Sequence, residues 1–316
     1  MEFHTYATRI TEHWPLTMIT LSTHDTKRSE DVRARLAVLA EQPAAWADAV
    51  RSWRELTTDH RGPLLDGTTE YLIWQTIFGT WDDGPIEADR LHAYLQKAIR
   101  EAKRHTTWTS PNTEYEDAVA GFASAVLADE AVLESVRRFA DAQAEAVRCN
   151  ILGQKLVQLT MPGVPDVYQG SELVDLSLVD PDNRRPVNYG LRAERLTRLD
   201  AGAHPAGLSD EKLLVTSRAL RLRRQVPDVF AGPYAALPTS SGHAVAFARG
   251  DAPGAITVAT RLPATLHRLG GWGDHSVVLP DGNWKDVLTG RSAKGGSARL
   301  DELLETLPVA LLTSSD

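Results

Sequence analysis

Every side chain from Ser22 to Asp31 carries a hydroxyl or an ionisable group. Within it, His24, Asp25 and Lys27 set an imidazole, a carboxylate and an ammonium group close together. Such a set can donate, accept and stabilise charge on a polar substrate. Part of the stretch has a plainer reading. Ser29 can cap a helix, and Glu30 and Asp31 suit the positive end of its dipole. Capping leaves His24, Asp25 and Lys27 without a reason. A second stretch, Lys103 to Tyr115, gathers Trp108, Asn112 and Tyr115 in one loop. Flat aromatic faces with planar polar groups suit sugars, whose rings offer an apolar C–H face and a rim of hydroxyls. A helix–helix loop anchored by a buried Trp108 would read the same way.

The elements that must position these groups follow from periodicity. Leu16 to Leu21 is too short and too β-branched for a helix and reads as a buried strand, with the reactive stretch at its end. If the chain alternates strands and helices as a barrel, that end is where chemistry sits. From Val32 to about Arg148 the spacing predicts helices. Pro43 restarts one with Trp46, Val50 and Trp53 on one face, and Tyr71 to Trp81 forms another with Tyr71 and Trp74 as core. Leu91, Leu95, Ile99 and Ala102 make an apolar stripe, and a long helix from about Glu116 to Arg148 has a break near Ala128-Asp129. A further helix covers Asn150 to Gln158. Val164 to Glu172, punctuated by Pro165, reads as a second strand. Beyond Leu208, a helix from Ser209 ends at Val226-Pro227. Short strands then follow at 244–248, 256–260, 276–279, 284–288 and 309–312, separated by turns such as Gly250-Asp251, Gly270-Gly271 and Asp281-Gly282. Strands at this spacing predict an antiparallel sheet or sandwich.

Composition limits the function classes. The 316 residues carry a formal charge of -8 and a pI near 5.7, which argues against a nucleic-acid surface. Cys149 is the single cysteine and has no internal disulfide partner, which fits a reducing cytoplasm. No apolar run approaches the ~20 residues of a membrane helix. No metal, cofactor or phosphate motif is present.

The strand ending in His24-Asp25 resembles the fourth signature region of glycoside hydrolase family 13, the α-amylase family. Gly163, Pro165, Tyr168, Gly170 and Glu172 match its eighth-strand pattern Gly-x-Pro-x-x-Tyr-x-Gly-x-Glu at every named position. Thr26 to Asp31, the His105 to Tyr115 loop (with Thr107 in place of a serine), Glu70 to Thr76 and Gly271 to Asp274 resemble the maltooligosyltrehalose synthase branch. The resemblance covers nearly the whole chain. It implies an α/β fold: the C-terminal part of a (β/α)8 barrel with a large helical insertion, then an antiparallel β-sandwich. Residues 1–31 would hold strand seven, 32–149 the insertion, 150–228 strand eight and the helices after it, and 229–316 the sandwich.

The same resemblance implies a function. The parent enzyme converts the reducing-end α-1,4 bond of a maltooligosaccharide into an α,α-1,1 bond. A trehalohydrolase would be its metabolic neighbour. Asp25 would be the catalytic carboxylate that stabilises the transition state, with His24 and Lys27 binding sugar beside it. Trp108, Asn112, Tyr115, Tyr168 and Glu172 would line the substrate site. In Leu178 to Tyr189, a solvated turn by its residues alone, Asp182 and Arg185 would bracket vicinal hydroxyls of the non-reducing-end glucose. The nucleophile and general acid would lie on strands upstream, in an N-terminal barrel half that the chain needs as partner. A trehalohydrolase of the same family, or a non-catalytic carbohydrate-binding remnant, are the rival readings.

Overall fold

The computed structural model describes residues 2–315. Helix α1 (Glu2–His13) leads into strand β1 (Met18–Thr20), followed by α2 (Glu30–Leu39), α3 (Pro43–Leu56), α4 (Gly67–Gly79), α5 (Ala88–Ala102) and α6 (Thr113–Ala128). Then come α7 (Glu130–Thr160), β2 (Val164–Asp166), α8 (Tyr189–Asp200), α9 (Leu208–Gln225) and α10 (Pro227–Ala231). The chain continues through β3 (Tyr234–Ala236), β4 (Ala244–Arg249), β5 (Ala255–Thr260) and α11 (Pro263–Arg268). It closes with β6 (Ser276–Asp286), β7 (Ser292–Arg299), α12 (Leu300–Leu303) and β8 (Val309–Ser314). Two compact units result: His24–Ala144 with Leu176–Arg185, and Met1–Thr23 with Glu145–Asp175 and Pro186–Asp316.

The first of these units is helical, and short polar side chains cap three of its helix starts. Asp66 Oδ1 accepts from the N–H groups of Thr68 and Thr69 at 3.0 and 3.1 Å, and Asn112 Oδ1 accepts from Tyr115 N–H at 3.2 Å. Both satisfy donors that a helix start leaves open. The expected break at Asp129 is real: its carboxylate accepts from the N–H groups of Ala131 and Val132, starting α7 where α6 ends. The core is aromatic. Trp53 stands edge-on to Trp46 at 5.4 Å and tilted to Trp74 at 5.3 Å, and Trp74 meets Phe122 edge-on at 5.9 Å. Trp74 is fully buried as expected, but Tyr71 is 42% exposed. Its hydroxyl takes the Trp46 indole N–H at 2.8 Å, on the rim of a groove of about 660 Å³.

In the second unit β1 and β2 pair in parallel, Met18 with Val164 and Thr20 with Asp166. Each strand is three residues long, shorter than the runs expected at Leu16–Leu21 and Val164–Glu172. Polar turns cut them off. Thr20 Oγ1 donates to Ser22 O at 2.6 Å, and both the N–H and hydroxyl of Ser171 donate to Tyr168 O. Gly163, which turns the chain into β2, has φ of +117°, and a Cβ there would lie 2.8 Å from Thr17 O. Only glycine fits that turn. Helix α7 runs unbroken past Arg148, where a separate helix was expected. Gly153 within it faces β5, where a Cβ would stand 3.4 Å from Thr260 O.

The C-terminal strands form one antiparallel sheet in the order β3-β4-β5-β8-β6-β7, rather than two layers. It curls: Thr239 bridges to Val277, and Val278 N–H donates to Pro238 O, so the segment after β3 returns to β6. All six residues of β5 are buried because Ala255 and Ala259 face a core shared with α7 and α9, while Ile256 and Val258 face β4, β6 and β8. Asp281-Gly282 is not a turn between strands. It lies within β6 at a pairing irregularity between Leu279 and Asn283. Gly295 makes this possible, since a Cβ there would meet Pro280 O at 2.5 Å. Strand β7, poor in β-branched residues, carries no sequence signal and is held by its hairpin with β6.

Candidate functional site

In the helical unit, residues 24–29 are tied to the loop at 177–185. Ser29 N–H donates to Ser177 O at 2.9 Å, and Arg28 bridges to Leu178. Ser29 sits at the N-cap position of α2, but its side chain makes no capping bond there. The tie brings Asn183, Arg184 and Asp180 to His24. Its Nδ1 lies 3.4 Å from Asp25 Oδ1, while its Nε2 accepts from Arg184 Nε at 3.0 Å. Its carbonyl accepts from Asn183 Nδ2 at 2.6 Å. Asp180 receives Arg184 Nη2 at 3.1 Å, and Lys97 Nζ donates to Asp180 O at 2.8 Å. The Asp25 side chain is 91% exposed, so its carboxylate is open to a ligand. Lys27 is 3.0 Å from Glu101.

Asp182 and Arg185 sit deeper in the same loop. Asp182 takes both nitrogens of the Arg90 fork at 2.8 and 3.0 Å and the Leu178 N–H at 2.8 Å. Burial would raise its carboxyl, but these bonds hold it below the usual range. Arg185 donates to Asp182 O and to Ser177 Oγ. The pair thereby shapes the loop that presents Asn183 and Arg184. These two, with Asp180 and Lys97, are polar groups of this cluster that the sequence alone does not single out. Asp180 and Arg184 stand four residues apart, a spacing that could have signalled their pairing. Arg90 and Lys97 lie on α5 and carry no local signal.

The 105–115 loop separates into two parts. Trp108 is 53% exposed and carries the Arg100 guanidinium 4.9 Å from its ring centre. Arg100 is fixed by a fork-to-fork pair with Glu116 at 2.8 and 2.6 Å, and Thr106 Oγ1 donates to the same carboxylate. The Arg100 bonds hold the Glu116 carboxyl at about 2. Trp108 is therefore an outward aromatic face held from beneath, not a buried anchor. Tyr115 points inward, with its hydroxyl 2.7 Å from both Asp66 Oδ2 and Thr69 Oγ1. Burial pushes the phenol up to about 12. Asn112 caps the helix that carries Tyr115.

Burial would also raise Asp66, yet hydrogen bonds from Tyr115, Thr69 and Thr68 hold it at about 2. Its folded-state value lies below its ordinary 3.8, so its stabilisation is present above 3.8 and lost as pH falls through about 2. Asp66→Ala is expected to cost about 1 kcal/mol at neutral pH, the usual worth of a cap, because solvent screens the partly exposed charge. Urea titrations should show the gap between Asp66→Ala and the parent closing as pH falls toward about 2.

The remaining two site candidates belong to the other unit. Glu172 pairs with Arg192 Nε at 2.7 Å, and Arg192 also donates to Gly170 O at 2.8 Å. Tyr168 uses its carbonyl to close the Ser171 turn. Among the described residues no three His, Cys, Asp or Glu side chains are placed to share a metal ion. No helix there is long and apolar enough to cross a membrane.

No family model matches the chain. It is 45% identical over 320 aligned residues to a putative maltooligosyl trehalose synthase of Mycobacterium tuberculosis H37Rv, an alignment taking in 98% of this chain and 39% of that protein. The solved maltooligosyltrehalose synthase of Arthrobacter ramosus superposes with a TM-score of 0.88 at 42% identity, over 99% of this chain and 40% of that one. A hypothetical maltooligosyl trehalose synthase of Sulfolobus tokodaii gives 0.77 at 29% identity, with the same coverage of both chains. The chain thus spans about 40% of the length of the relatives it matches.

Proposed function

We propose that the chain is the part of a maltooligosyltrehalose synthase that carries the transition-state-stabilising carboxylate. The observation that carries this reading is similarity at 45% identity along 98% of the chain to a protein of that name. Strands β1 and β2 would be strands seven and eight of a family 13 barrel. Their parallel register and the exposure of Leu16, Met18 and Val164 support further strands packing beside them. Residues 229–316 would be the domain that follows the barrel. Asp25 would hold ring hydroxyls and stabilise the oxocarbenium-like transition state, and His24 and Lys27 would bind the same sugar. Trp108 would stack on a glucose face. Glu172 would act beside Tyr168, and Asp182 and Arg185 would set the wall at the non-reducing end.

In a retaining mechanism a carboxylate attacks the anomeric carbon while an acid protonates the departing oxygen. The freed glucose then re-enters through its own anomeric hydroxyl, giving an α,α-1,1 bond. Nucleophile and acid would be supplied by the portion of the relatives that this chain does not span. The reaction is an isomerisation and would take place in the cytoplasm, with a trehalohydrolase consuming its product. The test joins the chain to the upstream part of a relative and supplies maltohexaose. The expected product has lost its reducing end but kept its mass. Glucose and shorter reducing chains instead would point to a hydrolase.

A further inference from the structure

We infer that Arg184 is a positioning residue that locks His24 in the tautomer carrying its proton on Nδ1. Donors and acceptors decide it. A guanidinium has five N–H donors and no acceptor. Arg184 Nε, which also lies 2.5 Å from Asp180 Oδ1, meets His24 Nε2 at 3.0 Å in hydrogen-bond geometry, so that nitrogen offers its lone pair. The proton of the neutral ring then resides on Nδ1, the atom facing Asp25 Oδ1 at 3.4 Å. Arg184 is itself held by Asp180, whose backbone carbonyl is anchored by Lys97. The ring's backbone is fixed separately by Asn183 at 2.6 Å. Arg184 thus sets both the direction and the proton of an imidazole that in turn addresses Asp25. Its importance for turnover rests on the proposed synthase function. The tautomer does not.

A group bonded to the second ring nitrogen is what normally selects a histidine's tautomer. In the other neutral tautomer, with its proton on Nε2, two donors would stand nose to nose at Arg184, with Asp180 Oδ1 farther off at 4.0 Å. Two-bond proton–nitrogen correlation spectra of the nitrogen-15-labelled chain read this directly, at alkaline pH where imidazoles are neutral. His24→Gln identifies the resonance. We expect His24 as a single Nδ1–H form, and Arg184→Met to lose that form to a mixture with Nε2–H, the other histidines keeping their positions as proof of folding. Should Arg184→Met misfold, Asp180→Asn, which frees Arg184 without removing it, should give a partial mixture. A wild-type His24 protonated on Nε2, or one unmoved in a folded variant, would overturn the inference. Neither result depends on catalytic activity, so the proposed function is tested separately.

Discussion

If the chain is completed to the proposed synthase, Asp25→Asn is expected to lower kcat by about 10²–10³-fold, or ~2.7–4 kcal/mol of transition-state stabilisation. KM should change little. The substitution keeps shape and hydrogen-bonding reach while removing one negative charge. Ground-state sugar is neutral, so an amide can still hold its hydroxyls. Positive charge develops at the anomeric carbon only as the bond breaks, and interactions present only then raise kcat rather than affinity. Asp25 suits that part because its carboxylate is open, with the His24 ring 3.4 Å away and, among the described residues, no guanidinium paired with it. Asp182 is the contrast: it is claimed by both nitrogens of Arg90 and by a backbone N–H. Its replacement should disturb the loop before it disturbs chemistry. Steady-state kinetics on maltopentaose decide the matter, and a near-normal kcat in Asp25→Asn would remove Asp25 from the reacting centre.

What could be read from the sequence depended on how local the cause was. Helices with apolar stripes were legible, down to the break at Asp129, because that signal lies within a few residues, but their caps were not: Ser29 makes no capping bond, while Asp66 and Asn112 do. Legible too were β4, β5 and β8, whose apolar runs are bounded by turns. Strand β7 was not, since Ser292–Arg299 is held by pairing with β6 and not by propensity. Nor was the path through Asp281-Gly282, where a bulge and the close approach of Gly295 keep one strand continuous. At the candidate site the same rule applies. His24 and Asp25 stood out by their place after a strand. Asn112 and Tyr115 stood out by their types, but the contacts of Tyr115 are with Asp66 and Thr69, nearly fifty residues away. In the sequence Arg184 stands beside Arg185 with nothing to set it apart. The fold alone distinguishes it from Arg185, by turning one toward His24 and the other toward Ser177.

The chain on its own is expected to show no turnover with maltohexaose. Retaining chemistry needs a nucleophile and an acid about 5–5.5 Å apart across one bond. In its proposed stabilising role Asp25 would fill neither, however well His24 and Arg184 position it. Among the described residues the parallel sheet consists of β1 and β2 alone, so each keeps an unpaired edge. Beside those edges Leu16 is 79% exposed, Met18 72% and Trp14 54%. Open strand edges with apolar side chains favour association, and under the proposed reading further strands would add there. Mixing the chain with the separately produced upstream part of a relative should therefore restore formation of non-reducing product. An Asp25→Asn chain should assemble equally well, by sedimentation or gel filtration, yet leave the mixture nearly inactive. That pairing separates failure to assemble from failure to react. Sustained conversion by the purified chain alone, abolished by Asp25→Asn, would mean that its own residues supply the nucleophile and acid, and Asp25 could no longer be only a stabilising carboxylate.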